Sequence, residues 1–512
     1  MHNQAGRPMK PSFESTNAES RPSNKSIPEV QLRLLALFAA IKILFIFAIP
    51  LLDDEAYFLY WGRNLAGGYY DHPPMIGWIN YLMTSVIDSY YFTRLFPFFT
   101  TSFLSYLIFE FYKNTAPEKA LTLATISFVA TASVVHIPSL NDTAVTLFGG
   151  ISFFCFFKSF ESKKWCWLPL ACFFMATGFL AKYFAAFLGL IYVGVIASKK
   201  RWKMLALFLS YSVFFTLPIL YFHLSWNRDH CWDNIMFNVI NRHSGKSSFE
   251  LVSYIVTLAA LLGPLCFWQS IKAPFSKIFM TPSQITWIFS SGLFALISLK
   301  TLVGAHWLLL FIYPAYYAVS SLSIQSLQKV SRWTAGFSIG VVTILIGVII
   351  FAGKIMETKP KDYPFYLHFF HPEKICSYLE NELPENFTFM ADGYSPASLF
   401  SHHCSRNVPV IFHEGVYGRE FDKHIDFKSF EGKDIAVYVD ITPASKYSEF
   451  FSSSEVKKIN HKNGNFTVLL GKNFNYQKYK NEILENIKHR YYTRPNFLPD
   501  GKCYFDEKYQ FD

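Results

Sequence analysis

A succession of long apolar runs, extending to about Lys354, is the feature that most constrains the fold of this 512-residue chain. Several runs approach the roughly 20 residues that a helix needs to cross a bilayer. Lipid offers no hydrogen bonds to the backbone, so such runs must be helical. The predicted spans are approximately 32–52, 92–112, 120–136, 143–158, 165–181, 183–198, 203–224, 250–271, 282–299, 304–322 and 333–353. The sequence therefore predicts a mainly α, polytopic membrane protein with about 11 transmembrane helices.

Two polar segments flank the apolar part. Residues 1–30 contain many Ser, Asn and Pro residues, which predicts a disordered cytoplasmic tail. The first apolar run is too long for the core of a cleaved signal peptide. In the C-terminal segment we expect strands at 385–391, 408–412, 433–440 and 465–471 and helices at 372–383 and 479–492. The predicted parts are thus the tail 1–30, a transmembrane domain 31–353 and a small α/β extramembrane domain 354–512.

The distribution of basic residues predicts the orientation in the membrane, because cytoplasmic loops carry an excess of Lys and Arg. With the N-terminus inside, the cytoplasmic loops hold Lys113, Lys119, Lys158, Lys163, Lys164, Lys199, Lys200, Arg201, Lys203, Lys272, Lys277, Lys329 and Arg332. The opposite loops hold Arg63, Arg94, Arg228, Arg242 and Lys246. An odd number of spans then places residues 354–512 outside. The net charge of +10 reflects this topology and does not indicate a nucleic-acid-binding surface.

The first outer loop, with the sequence DDEAYFLYWGRNLAGGYYDHPP, follows directly on the first span. Its three leading acids would be costly at a membrane surface unless they serve a function. The pattern predicts a short interfacial helix with Asp54 as its N-cap and Gly67-Gly68 at its end. Its Tyr and Trp residues are typical of the headgroup level. The alternative is a solvated loop with an aromatic belt.

Polar residues of the other outer loops lie on the same predicted side. They are His136, Asn141, Asp142, Lys182, Asn227, Arg228, Asp229, His230, Arg242, His243 and His306. Together they suit a site that binds an anion such as a lipid phosphate through Lys and Arg, while a carboxylate handles a hydroxyl. Each also has a structural interpretation: Lys182 as a snorkelling lysine, His306 as an interfacial histidine and Arg242 as a headgroup anchor.

Other common motifs are missing from the sequence. It contains no zinc signature, Walker loop, Gly-rich nucleotide fold or nucleophile elbow, which disfavours nucleophilic catalysis and ATP-driven transport. Four of the eight cysteines, Cys231, Cys376, Cys404 and Cys503, fall on the outer side. Their spacing matches no metal or redox motif, and both a disulfide and unpaired thiols stay open.

Five segments, taken in order, resemble one family of membrane enzymes. They are the first loop from DDE to GYYDHPP, then SLNDTAVTLFGG, GFLAKYFA, WNRDHCW with NRH, and AHWLLL. Over residues 31–353 the chain resembles the dolichyl-phosphate-mannose protein mannosyltransferase superfamily, in the bacterial branch similar to the lipid A aminoarabinose transferase. The resemblance implies a GT-C fold and an inverting glycosyltransferase that takes a sugar, a hexose or an amino sugar, from a polyprenyl-phosphate donor. It also implies a multi-pass protein of the bacterial inner membrane whose active site faces the periplasm, with lipid A or another cell-surface glycan as acceptor.

The resemblance extends to single residues. Asp54 matches the catalytic acid of the first loop, with Glu55 beside it, and Asp142 matches the acid of the second loop. The residues expected to bind the donor phosphate and the substrates are Asp71, His72, Lys182, Arg228, Arg242, His243 and His306. His72 stands where the branch has a lysine, so a permanent cation is not implied at this position. No metal ligand or cofactor is assigned, and a divalent cation stays an open alternative.

Two other classes of function stay open at this point. A lipid-linked-sugar flippase or another transporter would also carry charged residues in its membrane helices, although the two halves of this chain show no internal repeat. A sensor or assembly protein would use residues 354–512 to bind a partner and would leave the first-loop acids without a role. The expected partners of a glycosyltransferase are the polyprenyl-phosphate-linked donor, the glycan acceptor and membrane lipids, without nucleic acid.

Overall fold

The computed structural model describes residues 26–511 apart from 162–165, 242–248, 277–278, 360–362, 405, 441–442 and 462–463. Most of the predicted disordered tail therefore lies outside the described residues, and its last five residues already belong to the first helix. The helices before residue 358 are α1 (Ser26–Ala48), α2 (Asp53–Arg63), α3 (Met75–Val86), α4 (Tyr90–Thr93), α5 (Leu95–Tyr112), α6 (Pro117–Val129), α7 (Thr131–Val135), α8 (Asn141–Glu161), α9 (Trp167–Phe179), α10 (Ala186–Ser198), α11 (Trp202–Arg228), α12 (Asp233–Val239), α13 (Leu251–Leu262), α14 (Pro264–Lys272), α15 (Pro282–Ser298), α16 (Tyr313–Ala318) and α17 (Ile324–Glu357).

Many of these helices are apolar, which confirms the mainly α membrane fold. Among the described residues, five helices are long and apolar enough to cross a membrane: Pro28–Ala48, Tyr90–Tyr112, Asn141–Glu161, Trp202–Arg228 and Ile324–Met356. A bent pair, α13 and α14, adds a sixth if it forms one broken span. The count of about 11 spans stays a prediction, because several of the predicted runs form shorter helices.

Two predicted spans differ in shape from a straight helix. The run 250–271 bends by 105° between α13 and α14, where Gly263 has a φ of +81° and Pro264 begins the second helix. The run 304–322 consists of short helical pieces, with α16 beginning around Pro314. Proline cannot donate the backbone hydrogen bond that a continuous helix needs at its position, so in both runs it coincides with the start of a new helix.

Helix α8 lies deep in the helical bundle and packs against α5 and α9. Its glycines permit this close packing, because a β carbon at Gly149 would overlap the side chain of Leu310 and one at Gly150 would overlap that of Leu104. Both leucines belong to the main hydrophobic core of the bundle. The first turn of α8 is buried as well. The packing therefore holds the beginning of α8, with Asp142, in a fixed place.

The C-terminal segment forms a small α/β domain. Its elements are α18 (Tyr363–Phe370), α19 (Pro372–Asn381), β1 (Phe387–Ala391), α20 (Tyr394–His403), α21 (Phe421–His424), β2 (Asp434–Val439), β3 (Phe451–His461), β4 (Gly464–Phe474), α22 (Tyr476–Tyr479), α23 (Glu485–Ile487) and α24 (Tyr504–Tyr509). The four strands form one sheet in the order β1-β2-β4-β3. Strands β1 and β2 run parallel, and the other two pairs are antiparallel.

Three of the four predicted strands are present as β1, β2 and β4. The strand predicted at 408–412 is wrong, because in this segment Val410 makes an isolated bridge with Ala391 and no ladder forms. Strand β3 was not predicted from the sequence, since its residues FSSSEVKKINH are largely polar. Its position at the edge of the sheet explains that composition, because charged residues protect edge strands from pairing with other chains.

All four cysteines of the predicted outer side are paired. Cys231 is bonded to Cys503, and Cys376 is bonded to Cys404. The first bond joins the loop after α11 to the end of the chain across 272 residues of sequence. Of the two alternatives left open by the spacing, the disulfide is therefore correct, and there are two such bonds.

The C-terminal domain covers α2. Tyr57, Trp61 and Tyr69 of the first loop are buried in one hydrophobic cluster with residues of that domain such as Phe389 and Phe421. The aromatic rings therefore pack against protein, and the solvated-loop alternative is wrong. The surface that buries these rings belongs to residues more than 300 positions later in the same sequence, so no local sequence pattern could predict the burial.

The ends of α2 also differ from the prediction. The helix begins at Asp53, so Asp54 belongs to its first turn and is not the N-cap, and it ends at Arg63. Gly67-Gly68 have another role, because the ring of Trp226 packs so closely on them that a β carbon at either position would overlap it. The two glycines thus allow the C-terminal end of α11 to pack against the first loop.

Candidate active site

The first turn of α2 presents three consecutive acids, Asp53, Asp54 and Glu55. Successive residues of an α-helix point about 100° apart, so the three carboxylates cannot face the same place. Asp54 opens into a cavity, whereas Glu55 is fully buried on another side of the helix. The positive end of the helix dipole favours all three negative charges at this position.

The cavity has a volume of about 330 Å³ and lies between the ends of several membrane helices and the C-terminal domain. Its lining consists of Asp54, Tyr57, Phe58, Asp71, His72, Leu140, Asn141, Asp142, Lys182, Phe237, His306, Tyr394, Tyr417 and Gly418. Six of the ten predicted site residues are among them: Asp54, Asp71, His72, Asp142, Lys182 and His306. The structure thus brings together residues that four separate segments of the sequence contribute.

Asp54 is the acid with access to the cavity. Burial of the carboxyl group raises the pKa of Asp54 to about 6, and the adjacent charge of Asp53 adds to the rise. The hydroxyl of Tyr394 donates a hydrogen bond to Oδ1 of Asp54 at 3.4 Å, which works in the opposite direction. A carboxylate with a pKa near 6 is still mostly ionised at neutral pH and is basic enough to accept a proton.

Asp142 and Lys182 form a buried ion pair at the wall of the cavity. Nζ of Lys182 lies 2.7 Å from Oδ1 of Asp142, and both side chains are almost fully enclosed. Asp142 occupies the first turn of α8, while Lys182 has extended backbone angles between the end of α9 and the turn that leads into α10. The interpretation of Lys182 as a snorkelling lysine is therefore wrong, because its ammonium group is held by a carboxylate.

Asp71 and His72 reach the cavity from the second half of the first loop. Burial raises the pKa of Asp71 to about 8, with a contribution from the negative charge of Glu420. Asp71 therefore keeps its proton at neutral pH. Asn238 donates a hydrogen bond of 2.9 Å to the backbone carbonyl of Asp71, and Glu420 accepts one of 2.7 Å from the backbone N–H of Tyr70. These bonds from α12 and the C-terminal domain fix the loop beside the cavity.

Glu55 pairs with Arg94 at the beginning of α5, away from the cavity. The guanidinium donates two strong hydrogen bonds to the carboxylate, from Nη2 at 2.7 Å and from Nε at 3.0 Å, and both side chains are fully buried. The same guanidinium also donates to the carbonyls of Ile46, Ile49 and Pro50. This geometry indicates a structural anchor between α1, α2 and α5. The catalytic role expected for Glu55 stays a prediction that the geometry does not favour.

Of the remaining predicted binding residues, Arg228, Arg242 and His243, the structure describes Arg228 alone. Arg228 is half exposed at the end of α11, where its Nε lies 3.4 Å from a carboxylate oxygen of Asp229. Arg242 and His243 lie outside the described residues. The cations that the structure places at the cavity are therefore Lys182 and, when protonated, His72 and His306.

The sequence reasoning missed every cavity residue of the C-terminal domain, namely Tyr394, Tyr417 and Gly418. One signal was available for Tyr394, because the sequence Asp392–Ser395 follows directly on the predicted first strand. Ligand-binding residues in α/β sheets often follow the carboxyl ends of parallel strands. That this end of the sheet meets the first loop could not be known from the sequence alone.

The described residues contain no group of three or more His, Cys, Asp or Glu side chains arranged to hold a metal ion. A divalent cation stays an open alternative.

Two comparisons relate this chain to known proteins. Residues 71–226 match the model of the family described as dolichyl-phosphate-mannose-protein mannosyltransferase. The resemblance found in the sequence is confirmed. The match covers the segment from Asp71 through Asp142 and Lys182 to Trp226, near the end of α11. No curated protein sequence matches the chain.

The whole fold is similar to that of ArnT from Cupriavidus metallidurans. Its apo structure superposes with a TM-score of 0.64 at 11% sequence identity, covering 88% of this chain and 99% of ArnT. A second structure of the same protein, bound to undecaprenyl phosphate, gives a TM-score of 0.62 at 13% identity and covers 88% and 98% of the two chains. The predicted GT-C fold is therefore confirmed. The family match and the shared fold agree with the predicted enzyme class, a polyprenyl-phosphate-sugar-dependent glycosyltransferase.

Proposed function

We propose that the protein transfers a sugar from a polyprenyl-phosphate donor to a lipid A-type or other cell-surface glycan acceptor, with inversion at the sugar. The observation that carries the proposal is the cavity in which the carboxylate of Asp54 faces the Asp142–Lys182 ion pair. Two further points support it: the shared fold with ArnT, and the undecaprenyl phosphate bound in one structure of that protein. A polyprenyl phosphate is the carrier that such a donor leaves behind.

In this proposal Lys182, with His72 and His306, attracts the phosphate of the donor to the cavity. As the bond between the anomeric carbon and the phosphate oxygen breaks, negative charge grows on that oxygen, and the nearby cations stabilise it. Asp54 accepts the proton of an acceptor hydroxyl, whose oxygen attacks the anomeric carbon from the opposite side. The products are the glycosylated acceptor and the polyprenyl phosphate.

A phosphate-bearing acceptor would change the role of Asp54. A phosphate oxygen is already anionic and needs no base, so Asp54 would orient the acceptor or balance charge. The carboxyl group of Asp71, protonated at neutral pH, is able to donate a hydrogen bond to an oxygen of the sugar or the phosphate. The geometry of the cavity suits both a hydroxyl acceptor and a phosphate-bearing acceptor, so both kinds of acceptor are included in the assay.

The proposed location of the site is the periplasmic face of the inner membrane. The excess of basic residues in the opposite loops supports this orientation. The two disulfides support it independently, because all four of their cysteines lie on the predicted outer side and disulfides persist in oxidising compartments.

The proposed function is tested with the purified full-length chain in detergent or liposomes. A polyprenyl-phosphate-linked hexose and amino sugar are supplied as donors, and lipid A and a neutral surface glycan as acceptors. Mass spectrometry of the acceptor is expected to reveal the mass of one added sugar. Transport of a lipid-linked sugar across the liposome membrane without any transfer would favour the flippase instead.

The pH dependence of transfer follows from the two shifted carboxyl groups. Transfer to a hydroxyl acceptor is expected to rise with pH through about 6, because Asp54 accepts a proton only when it is ionised. Above about 8 the ionisation of Asp71 adds negative charge to the cavity, so donor binding is expected to weaken. The measurement is kcat/KM for the donor between about pH 5 and about pH 9.

The rise of the rate at low pH and its fall at high pH can be tested separately. Asp71→Asn is expected to remove the fall at high pH and to leave the rise at low pH in place. A profile of the wild-type protein that is flat across this range would contradict the assignment of both groups.

A further inference from the structure

The first turn of α20, which follows β1 in the C-terminal domain, lies directly on the first turn of α2. The Tyr394 hydroxyl donates a hydrogen bond to Oδ1 of Asp54 at 3.4 Å, and Oγ of Ser395 donates one to Oδ2 of Asp53 at 3.0 Å. Two adjacent residues of one domain therefore bind two adjacent acids of the other. These contacts join positions about 340 residues apart in the sequence.

The backbone of this turn is fixed from within its own domain. Asp392, which follows β1, accepts hydrogen bonds from the backbone N–H of Asp440 at 3.0 Å and from the hydroxyl of Tyr447 at 3.4 Å. Asp440 follows β2, the parallel neighbour of β1. The carboxyl ends of the two parallel strands thus meet at Asp392 and direct the next residues of the chain toward α2.

The ring of Tyr394 is also held in place. It packs against the ring of Tyr57 on α2, with 5.5 Å between the ring centres, and against His413 at 6.4 Å. Gly418 closes the remaining side: a β carbon there would overlap the β carbon of Tyr394, and the φ of +77° also favours glycine. The hydroxyl of Tyr394 therefore reaches Asp54 from a ring that has little freedom to move.

We propose that Tyr394 is a positioning residue for Asp54, so that the C-terminal domain is a working part of the active site. This inference rests on the proposed glycosyl transfer and adds to it a residue outside the segment that matches the family model. The hydroxyl holds the Asp54 carboxylate in one orientation at the cavity wall. A hydrogen bond to a carboxylate also stabilises its ionised form, which is the form that accepts a proton.

Several charged groups surround Asp54 and set its proton affinity together with Tyr394. Asp53 on the same helix and Asp142 on α8 raise the pKa of Asp54, while Lys182 and the Tyr394 hydroxyl lower it. Asp71 of the first loop also interacts with Asp54 through its charge when it is ionised. Removal of the hydroxyl alone leaves these charges unchanged, so the expected change has one direction, toward a higher pKa of Asp54.

The test is Tyr394→Phe in the full-length chain, assayed with a hydroxyl acceptor. A hydrogen bond to a charged group has an energy that corresponds to roughly a tenfold effect, so kcat is expected to fall about tenfold. The KM for the donor is expected to stay within about twofold, because the cations at the donor phosphate are untouched. The rise of the rate with pH is expected to move to higher pH.

The matched control is Tyr366→Phe, which removes a hydroxyl of the same domain that lies 3.2 Å from Nε2 of His371. It is expected to transfer sugar like the wild-type chain. A merely structural role for Tyr394 would lower the amount of folded protein without moving the pH profile, so the profile separates the two roles.

A second variant, Gly418→Ala, keeps the hydroxyl but displaces the Tyr394 ring, and the same loss of kcat and the same shift of the profile are expected. If Tyr394→Phe does not fold, the Gly418→Ala result decides the question. Wild-type kcat and an unchanged profile in a folded variant would overturn the role of Tyr394 while leaving the proposed function intact. Absence of transfer by the wild-type chain would overturn the proposed function itself.

Discussion

Replacing Asp54 by Asn is expected to lower transfer to a hydroxyl acceptor by a factor of about 10³, within the range that a positioned general base contributes. The amide has the size of the carboxyl group but cannot accept the proton of the attacking hydroxyl. It can still accept the hydrogen bond from Tyr394. The fold should therefore be preserved, and the loss should appear in kcat.

The measurement is the rate of sugar transfer by the purified variant under saturating donor. Asp88→Asn is the matched control, since Asp88 is an exposed acid in the segment between α3 and α4 that pairs loosely with Arg63 at 3.6 Å. Normal transfer by Asp54→Asn with both kinds of acceptor would show that Asp54 is not the base. A large loss with a hydroxyl acceptor and a small loss with a phosphate-bearing acceptor would identify the phosphate as an acceptor that needs no base.

The helices and the convergence of Asp54, Asp142 and Lys182 were accessible from the sequence. Hydrophobic periodicity and the distribution of Lys and Arg report the solvent that surrounds each segment, and that is enough to place polar residues at the same membrane surface. The resemblance in the motifs then gave the order of the segments. These signals are local, and the meeting of these residues at one end of the helices follows from them.

The different roles of Asp54 and Glu55 could not be predicted from the sequence in the same way. The two acids are adjacent in sequence, and which of them faces the cavity depends on the rotation of α2 about its axis. That rotation is set by the C-terminal domain, which buries Tyr57 and Trp61, and by Arg94, which binds Glu55. Contacts between distant segments also explain why Tyr394 and the two disulfides could not be deduced.

Replacing Arg94 by Met is expected to destabilise the protein by about 3–5 kcal/mol, because the carboxylate of Glu55 is left buried without its partner. The three carbonyl groups of Ile46, Ile49 and Pro50 also lose their donor. The connection from α1 to α2 should loosen first. The expected result is a clear fall of the melting temperature in detergent and a reduced yield of folded protein.

The control for this prediction is Arg63→Met. The pair that Arg63 forms with Asp88 is exposed, so the loss of Arg63 is expected to change stability by less than about 1 kcal/mol. The double variant Glu55→Met with Arg94→Met is expected to recover much of the stability lost in Arg94→Met alone. Removing both partners leaves no unpaired charge in the interior.

The same variants test the role of Glu55. If the stable double variant transfers sugar at close to the wild-type rate, the Glu55–Arg94 pair is an anchor that holds α2 in place, as its distance from the cavity indicates. If Arg94→Met is as stable as the wild-type protein, the anchor interpretation is wrong.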